Sequence, residues 1–368
     1  MDSTDGASLP VTEHPLAALA TAYADAGMEP SELDYYSTEG WFRNLAANCL
    51  QPSERTMVLR AADVVLPLRL RPSRFGPLRG WTARGLSNFY SCRFTPPGLE
   101  GGGDSVRAVM ALGLALRQRG FATIRFDALD DAPKNALAAG LRRAGWVVEP
   151  FEQFGNWYLD TRDLDFDTYW RARPGALRNT GNRRYRALVD RGGACVTCFA
   201  APAVAEAAIA AYESVYTRSW QPAEPFPGYM PGLIRDGLAA GEAQVWVLTA
   251  GDQPVAAQVW VRRHNRATIF KLAYDQDWAK HSAGTVLTMA AMRQALHAVF
   301  PQARVFGSIE EIDFGWGDDP YKQEWLPLRR QRYGIAAYNL RSAIGLAQAV
   351  RNLGPRKLRA LFGGTKKI

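Results

Sequence analysis

Two short stretches concentrate side chains able to do proton or anion chemistry. The first is EIDFGWGDDPYKQEW, residues 311–325. Asp313 ends a strand, two glycines let the chain turn sharply, and Pro320 opens a helix that carries Tyr321 and Lys322. A carboxyl, a phenol and an ammonium at one strand end can take a proton from a nucleophile, return one to a leaving group and steady a developing oxyanion. The structural alternative has Asp313 and Asp318 capping a turn and Lys322 solvated, and spacing alone favours it.

The second stretch is AYDQDWAKHSAGTVLTMAAMRQAL, residues 273–296. Asp275 ends a strand, a loop follows, and Gly284 stands at the start of a helix of good formers. The backbone N–H groups of Ala283, Gly284, Thr285 and Val286 would be unpaired at a positive helix end, which is a pyrophosphate site. Ser-Ala-Gly occurs in many strand-to-helix turns, so the motif by itself is weak. Sites in open sheets gather beyond the carboxyl ends of strands, which would bring Asp275 near Asp313. His281 on the loop is a phosphate contact or a base, or else simply solvated.

These residues need a strand end, a turn and a helix start, and the flanking sequence offers each. Residues 243–249, 255–263 and 267–275 read as strands joined by tight turns at Gly251-Asp252 and His264-Asn265. An irregular segment at 276–283, a helix to about 300, a strand ending at Asp313 and a short helix around Tyr321 follow. Upstream, residues 57–70 read as two strands about a turn, then a loop rich in Arg, Pro and Gly, a helix at 105–119, a strand at 122–126, a helix at 133–144 and a strand at 146–151. The order meander, loop, helix, strand, helix, strand thus occurs twice, which reads as a degenerate internal duplication with α/β alternation.

Composition agrees with two domains. The chain has 368 residues, 47% apolar and 22% charged, enough for a large core. Four cysteines (Cys49, Cys92, Cys195, Cys198) are too sparse for a disulfide framework, and the amino terminus has no basic region followed by an apolar one. Both observations predict a cytoplasmic protein. The apolar stretch at 106–116 is far too short to span a bilayer. Cys195 and Cys198 have the CxxC spacing but no second pair and no nearby His, so no metal site is expected. Arg178, Arg183, Arg184 and Arg186 form a basic helix that grips an acidic group or is simply a solvated face. Arg218-Ser219-Trp220 and the Pro-rich segment after it read as an acceptor lid or as ordinary packing.

The net charge of +8 is carried at one end. No acidic residue follows Glu324, whereas Arg329, Arg330, Arg332, Arg341, Arg351, Arg356, Lys357, Arg359, Lys366 and Lys367 all do. A basic tail seeks an anionic partner. Leu340, Ile344, Ala347 and Val350 give it an apolar stripe, and Leu358, Leu361 and Phe362 continue it after Gly354-Pro355. The pattern is that of a helix on an anionic membrane surface or of one packed on the domain. No nucleic-acid motif accompanies the charge, and no nucleic-acid partner is expected.

From Gly192 to Tyr338 the order of elements, with FKLAYDQDWAKHSAGTVL followed by DFGWGDDPYKQEW, resembles the GNAT acyltransferase superfamily and in particular its FemAB-like branch. The resemblance implies an α/β (α+β) chain of two tandem GNAT-like folds, each a mixed, mainly antiparallel sheet flanked by helices, with a basic C-terminal helical tail. The boundaries it suggests are a polar extension at 1–30, a GNAT-like domain without a donor site at 31–165, a GNAT domain with an acyl-CoA site at 166–338 and an amphipathic tail at 339–368. Lys280 to Thr285 stand where the family carries its Gly-rich donor motif, a departure from the pattern.

The chemistry implied is attack of an amine on a thioester, with acyl-CoA as co-substrate and no permanently bound cofactor. Asp313 is the first candidate base and Asp275 the second, since a buried carboxyl has a raised pKa. Tyr321 is the acid for the leaving thiolate, and Lys322 orients the thioester oxygen or an anionic acceptor. Backbone groups of Lys271, Leu272, Ala273 and Tyr274 would pair with the pantetheine arm, and His281, Ser282, Ala283, Gly284, Thr285 and Val286 would hold the phosphates. The tail and the resemblance together suggest a lipid amine such as a sphingoid base, acylated at the inner membrane face. An amino-sugar acetyltransferase, an aminoacyl-tRNA-dependent FemAB-type ligase and an inactive binding module are the alternatives.

Overall fold

The computed structural model describes residues 9–99, 102–296 and 309–363. His297, the expected end of its helix at 297–300, and Lys366 and Lys367 lie outside the described residues. In chain order the first elements are β1 (Val11–His14), α1 (Leu19–Asp25), α2 (Glu39–Cys49), β2 (Arg55–Ala61), β3 (Val64–Phe75), β4 (Leu78–Gly85), α3 (Gly103–Gln118), β5 (Thr123–Leu129), α4 (Asp131–Arg143) and β6 (Val147–Asp160). Then come α5 (Phe166–Arg171), α6 (Gly175–Tyr185), β7 (Cys195–Phe199), α7 (Ala205–Thr217), α8 (Tyr229–Ala239), β8 (Ala243–Ala250), β9 (Gln253–Arg263) and β10 (Arg266–Tyr274). The last are α9 (Ala283–Ala295), β11 (Glu311–Asp313), α10 (Pro320–Trp325), β12 (Leu328–Tyr338) and α11 (Ala343–Gly363).

The chain forms two compact units, one from residues up to 154 together with those from 331 onward, the other from residues 155–330. These are not the linear segments 31–165 and 166–338, because the chain changes unit within β6 and returns within β12. In the first unit β1 to β4 form an antiparallel meander, β4 pairs in parallel with β5, and β12 lies antiparallel to β5. In the second, β7 to β10 form the meander, β10 pairs in parallel with β11, and the end of β6 lies antiparallel to β11. The six strands of each unit therefore follow one order, and the sixth of each comes from a distant part of the chain.

Two strands of the second unit's meander are buried on both faces, all of residues 243–248 in β8 and 255–261 in β9, with Gln244 and Gln258 as their buried polar members. Residues 71–85, expected as a loop, are the end of β3 and all of β4 in a long hairpin. Their Arg, Pro and Gly content hid a regular register. The Ala-rich stretch near the start forms the short helix α1, preceded by a strand. β1 pairs with β2, and Leu19, Ala22 and Tyr23 of α1 are fully or almost fully buried.

Two features of the basic end differ from expectation. Arg329, Arg330 and Arg332 lie on β12 and are paired, with Asp318, Glu311 and Asp130 respectively. The α11 helix breaks at Gly354 (φ 69°), and before the break Ile344, Ala349 and Leu353 are buried while Leu346 and Val350 are exposed. The buried stripe is thus shifted from the Leu340–Ile344–Ala347–Val350 repeat, and it packs with Tyr338. Among the described residues no helix is long and apolar enough to cross a membrane.

Candidate active site

Among the described residues, the second unit contains a strand edge that nothing in its sheet completes. β10 pairs with β11 only at its beginning, Arg266 to Thr268 against Glu311 to Asp313. After Asp313 the chain stays with β6, where the Phe314 N–H bonds Trp157 O at 3.0 Å. β10 instead runs on through Tyr274 beside β9, with a register shift between Ile269 and Lys271 that marks a bulge. The Asp275 N–H bonds Val255 O at 2.9 Å, which makes residues 273 and 271 hydrogen-bonded to β9 as well. Alternation then turns the N–H and C=O groups of Leu272 and Tyr274 away from β9, toward the uncompleted side. Of the four residues 271–274 expected to pair with the donor arm, only these two can.

A helix start lies just beyond this edge. One 3-10 segment, Gln276–His281, leads to Ser282 in the left-handed region (φ 55°), and α9 begins at Ala283. The Val286 N–H donates to Ser282 O at 3.0 Å, so Val286 is not one of the open donors expected from the sequence. Those of Ala283, Gly284 and Thr285 belong to the first helical turn, which has no carbonyl to receive them. Gly284 is needed for close approach: a Cβ there would stand 3.0 Å from Cδ1 of Tyr274. A buried chain fixes α9 on β9, with Trp260 Nε1 donating to Gln258 Oε1 (2.8 Å), Gln258 Nε2 to Thr288 Oγ1 (2.6 Å) and Thr288 Oγ1 to Gly284 O (2.8 Å). His281 is half-buried with its ring 5.1 Å from that of Trp278.

A strap from α7 already lies against the same edge. Gln221 Nε2 donates to Leu272 O at 2.6 Å, Trp220 packs on the Tyr274 ring at 4.4 Å, and Glu224 pairs with Lys271 at 2.6 Å. Arg218 anchors it by donating to Asp275 Oδ2 (2.7 Å) and Pro254 O (2.7 Å). Asp275 also accepts from Gln253 (3.0 Å) and from the Asp277 N–H (3.0 Å), so its carboxylate is committed to this anchor and to the turn.

At the other end of the edge sits Asp313, opposite Thr268. It is buried (4% exposed) and accepts from Asn156 Nδ2 (3.1 Å), Thr268 Oγ1 (3.1 Å) and the Gly315 N–H (2.7 Å). Gly315 (φ 58°) and Gly317 (φ 100°) make the turn that returns that N–H. Burial raises the Asp313 carboxyl above the ordinary carboxylate range; Arg330 opposes the rise and Glu311 adds to it. Asp275 lies seven residues along β10 from Thr268, roughly 20 Å away at strand spacing. The expectation that Asp275 and Asp313 gather at one site is therefore wrong, because parallel pairing aligns Asp313 with the beginning of β10 and not its end.

Lys322 and Tyr321 part company. Lys322 is buried, and its ammonium donates to Trp316 O and to Gly317 O (3.4 Å) and pairs with Asp319 (2.9 Å), tying the 315–319 turn. Tyr321 is 42% exposed, with its ring edge-on to Phe314 at 5.7 Å. Desolvation of its hydroxyl and the charge of Asp319 raise its pKa, so it is protonated at neutral pH. Asn156 and Arg330 were not singled out from sequence. Asn156 lies far along the chain, and Arg330 resembled tail charge, yet its guanidinium sits 3.6 Å from Asp313. Cys195 and Cys198 lie on β7, where positions three apart face opposite ways. Burial pushes the Cys198 thiol up to about 12.

Residues 175–323, from α6 into α10, match the family model described as an acetyltransferase (GNAT) domain. That segment is a GNAT domain of acyltransferase type. A search of curated proteins finds no match. Among solved structures, FemX is similar at 9% identity and a TM-score of 0.56, covering 93% of this chain and 100% of its own. The C-terminal domain (DUF2156) of a putative lysylphosphatidylglycerol synthetase from Agrobacterium fabrum is similar at 14% identity and 0.52, covering 93% and 99%. A conserved protein of unknown function from Bacteroides thetaiotaomicron is similar at 13% identity and 0.52, covering 90% and 99%. At such identities the likeness is one of fold, and it extends over both units. The two-unit fold seen in FemX thus spans this chain as well.

Proposed function

We propose that the GNAT domain binds acyl-CoA along the outer edge of β10 and transfers its acyl group to an amine. The observation that carries this is the single line formed by the first-turn N–H groups of α9, the outward backbone of Tyr274 and Leu272, and the bulge beside Asp313. The pyrophosphate lies on Ala283, Gly284 and Thr285, and the pantetheine amides pair with Leu272 and Tyr274 as a false strand. The thioester then falls near the bulge. Asp313 takes the proton of the ammonium, the amine nitrogen bonds to the acyl carbon, and the C–S bond breaks. Tyr321 gives its proton to the departing thiolate and regains one from the nitrogen, which sheds its second proton as the amide forms. On this path Asp275 stands at the phosphate end and holds the strap, while Lys322 supports the turn that positions Tyr321.

For the acceptor we favour an amine-bearing lipid precursor, a sphingoid base being one concrete form, reached from a membrane surface. Exposed Leu346 and Val350 beside Arg351 support this, as does the name of the DUF2156 neighbour, which is for a reaction on a phosphatidylglycerol. The alternative, an aminoacyl-tRNA-dependent FemAB-type ligase, fits the same fold equally well. A thermal-stability screen of free CoA and acyl-CoAs of increasing length separates these readings. Stabilisation should grow with acyl length. Equal stabilisation by acetyl- and long-chain acyl-CoA would remove the lipid reading, and none by any CoA would remove the donor site.

A further inference from the structure

We propose that the first unit carries an anion site of its own, which binds a phosphate-bearing ligand in an arginine-lined cavity between the strands and α11. The cavity has a volume of about 450 Å3, and Arg71, Arg74, Arg84, Arg125 and Arg351 line it. Among the described residues no carboxylate does. Register brings the charges together. Arg84 on β4 stands directly opposite Arg69 on β3 and directly opposite Arg125 on β5, and Arg71 lies on the same face one pair further on.

Like charges directly opposite one another destabilise a sheet, so such a row requires an offset. Protein groups supply it only at the flanks: Arg69 reaches Glu54 at 3.8 Å and Arg125 reaches Asp127 at 2.7 Å. Among the described residues the guanidiniums of Arg71, Arg74 and Arg84 have no hydrogen-bonded or ion-paired partner. Burial lowers the Arg84 pKa, and Arg125, Arg69 and Arg71 lower it further against the pull of Asp127. The helix that closes the cavity is pinned by Gln348 donating to Ser73 Oγ (3.2 Å) and Asn352 to the Tyr338 hydroxyl (3.1 Å), which sets Arg351 over it.

Planar guanidinium forks match phosphate oxygens two at a time. Several of them around one cavity suit a phosphomonoester or diphosphate better than a single carboxylate. The same group is presented by a soluble phosphorylated molecule and by a lipid headgroup, and the basic character of the tail belongs in part to this site.

The test uses the full chain saturated with CoA, so that the donor site is occupied, and titrates it with inorganic pyrophosphate. In parallel, phosphatidylcholine vesicles with and without phosphatidic acid are co-sedimented with it. Arg84→Gln should weaken pyrophosphate binding about tenfold or more. It should also raise the melting temperature of the ligand-free protein, since a repulsion is relieved, and leave CoA affinity unchanged. Loss of pyrophosphate binding with vesicle binding intact assigns a soluble ligand, and loss of phosphatidic-acid-dependent sedimentation assigns the headgroup. Arg71→Gln repeats the measurement should Arg84→Gln not fold. Anion binding that ignores both substitutions overturns the proposal, as does a lower melting temperature with unchanged binding, which would make Arg84 purely structural.

Discussion

The two units share one strand order and differ in where the parallel pair falls on the fourth strand. In the first, β4 meets β5 over Thr82 to Arg84 and ends at Gly85, one residue later. In the second, β10 meets β11 over Arg266 to Thr268 and runs on to Tyr274. The second unit therefore has a stretch of outward backbone, and α9 starts one short turn beyond it. The first has no such stretch, and α3 does not start until Gly103. A false-strand ligand needs both the edge and the helix end, which is why the proposed donor slot is placed in the second unit. The shared fold thus settles layout and not activity, and the two units differ by a register shift of a few residues.

The comparison breaks most readily at Asp313. Asp313→Asn keeps the shape and the acceptor oxygen for Gly315, so the fold and CoA binding should persist while turnover falls by about a hundredfold or more. Normal turnover would take Asp313 out of the mechanism. A smaller effect is expected at the strap. Gln221→Ala frees the Leu272 carbonyl that the donor arm must reach, and CoA should bind a few-fold tighter, the worth of one net hydrogen bond at about 0.5–1.5 kcal/mol. Unchanged or weaker binding would show that Gln221 does not stand in the donor path.

The smallest effect is on the pH dependence of stability. Because the Asp313 pKa is raised in the fold, the native chain holds that proton more tightly than the unfolded one. Stability should therefore fall as pH climbs from the ordinary carboxylate value through the raised one. In Asp313→Asn this part of the melting-temperature profile should flatten. An identical slope in both proteins would mean that the carboxyl is ionised throughout.

The donor half was legible because its turns are punctuated. Gly251-Asp252 and His264-Asn265 bracket strands whose apolar runs are unambiguous, and Gly315 and Gly317 advertise the turn after Asp313. The first half was harder to read, since Pro72, Gly76 and Gly80 interrupt the pattern of a hairpin that pairing alone maintains. Non-local facts were out of reach. Nothing near Lys322 says that the carbonyls of Trp316 and Gly317 will bury its charge. Likewise nothing near Arg330 or Asn156 says that both will come to Asp313. The separation of Asp275 from Asp313 follows from parallel register, which spacing along one strand does not reveal.

The central claim, that only the second unit holds a donor, is tested most directly by isothermal titration of CoA into the wild-type protein and into Gly284→Asp. The wild type should bind one CoA per chain, and the variant, with a carboxylate at the helix start where the phosphates belong, should bind none. Two CoA molecules per chain, or one that binds equally well to the variant, would contradict the account.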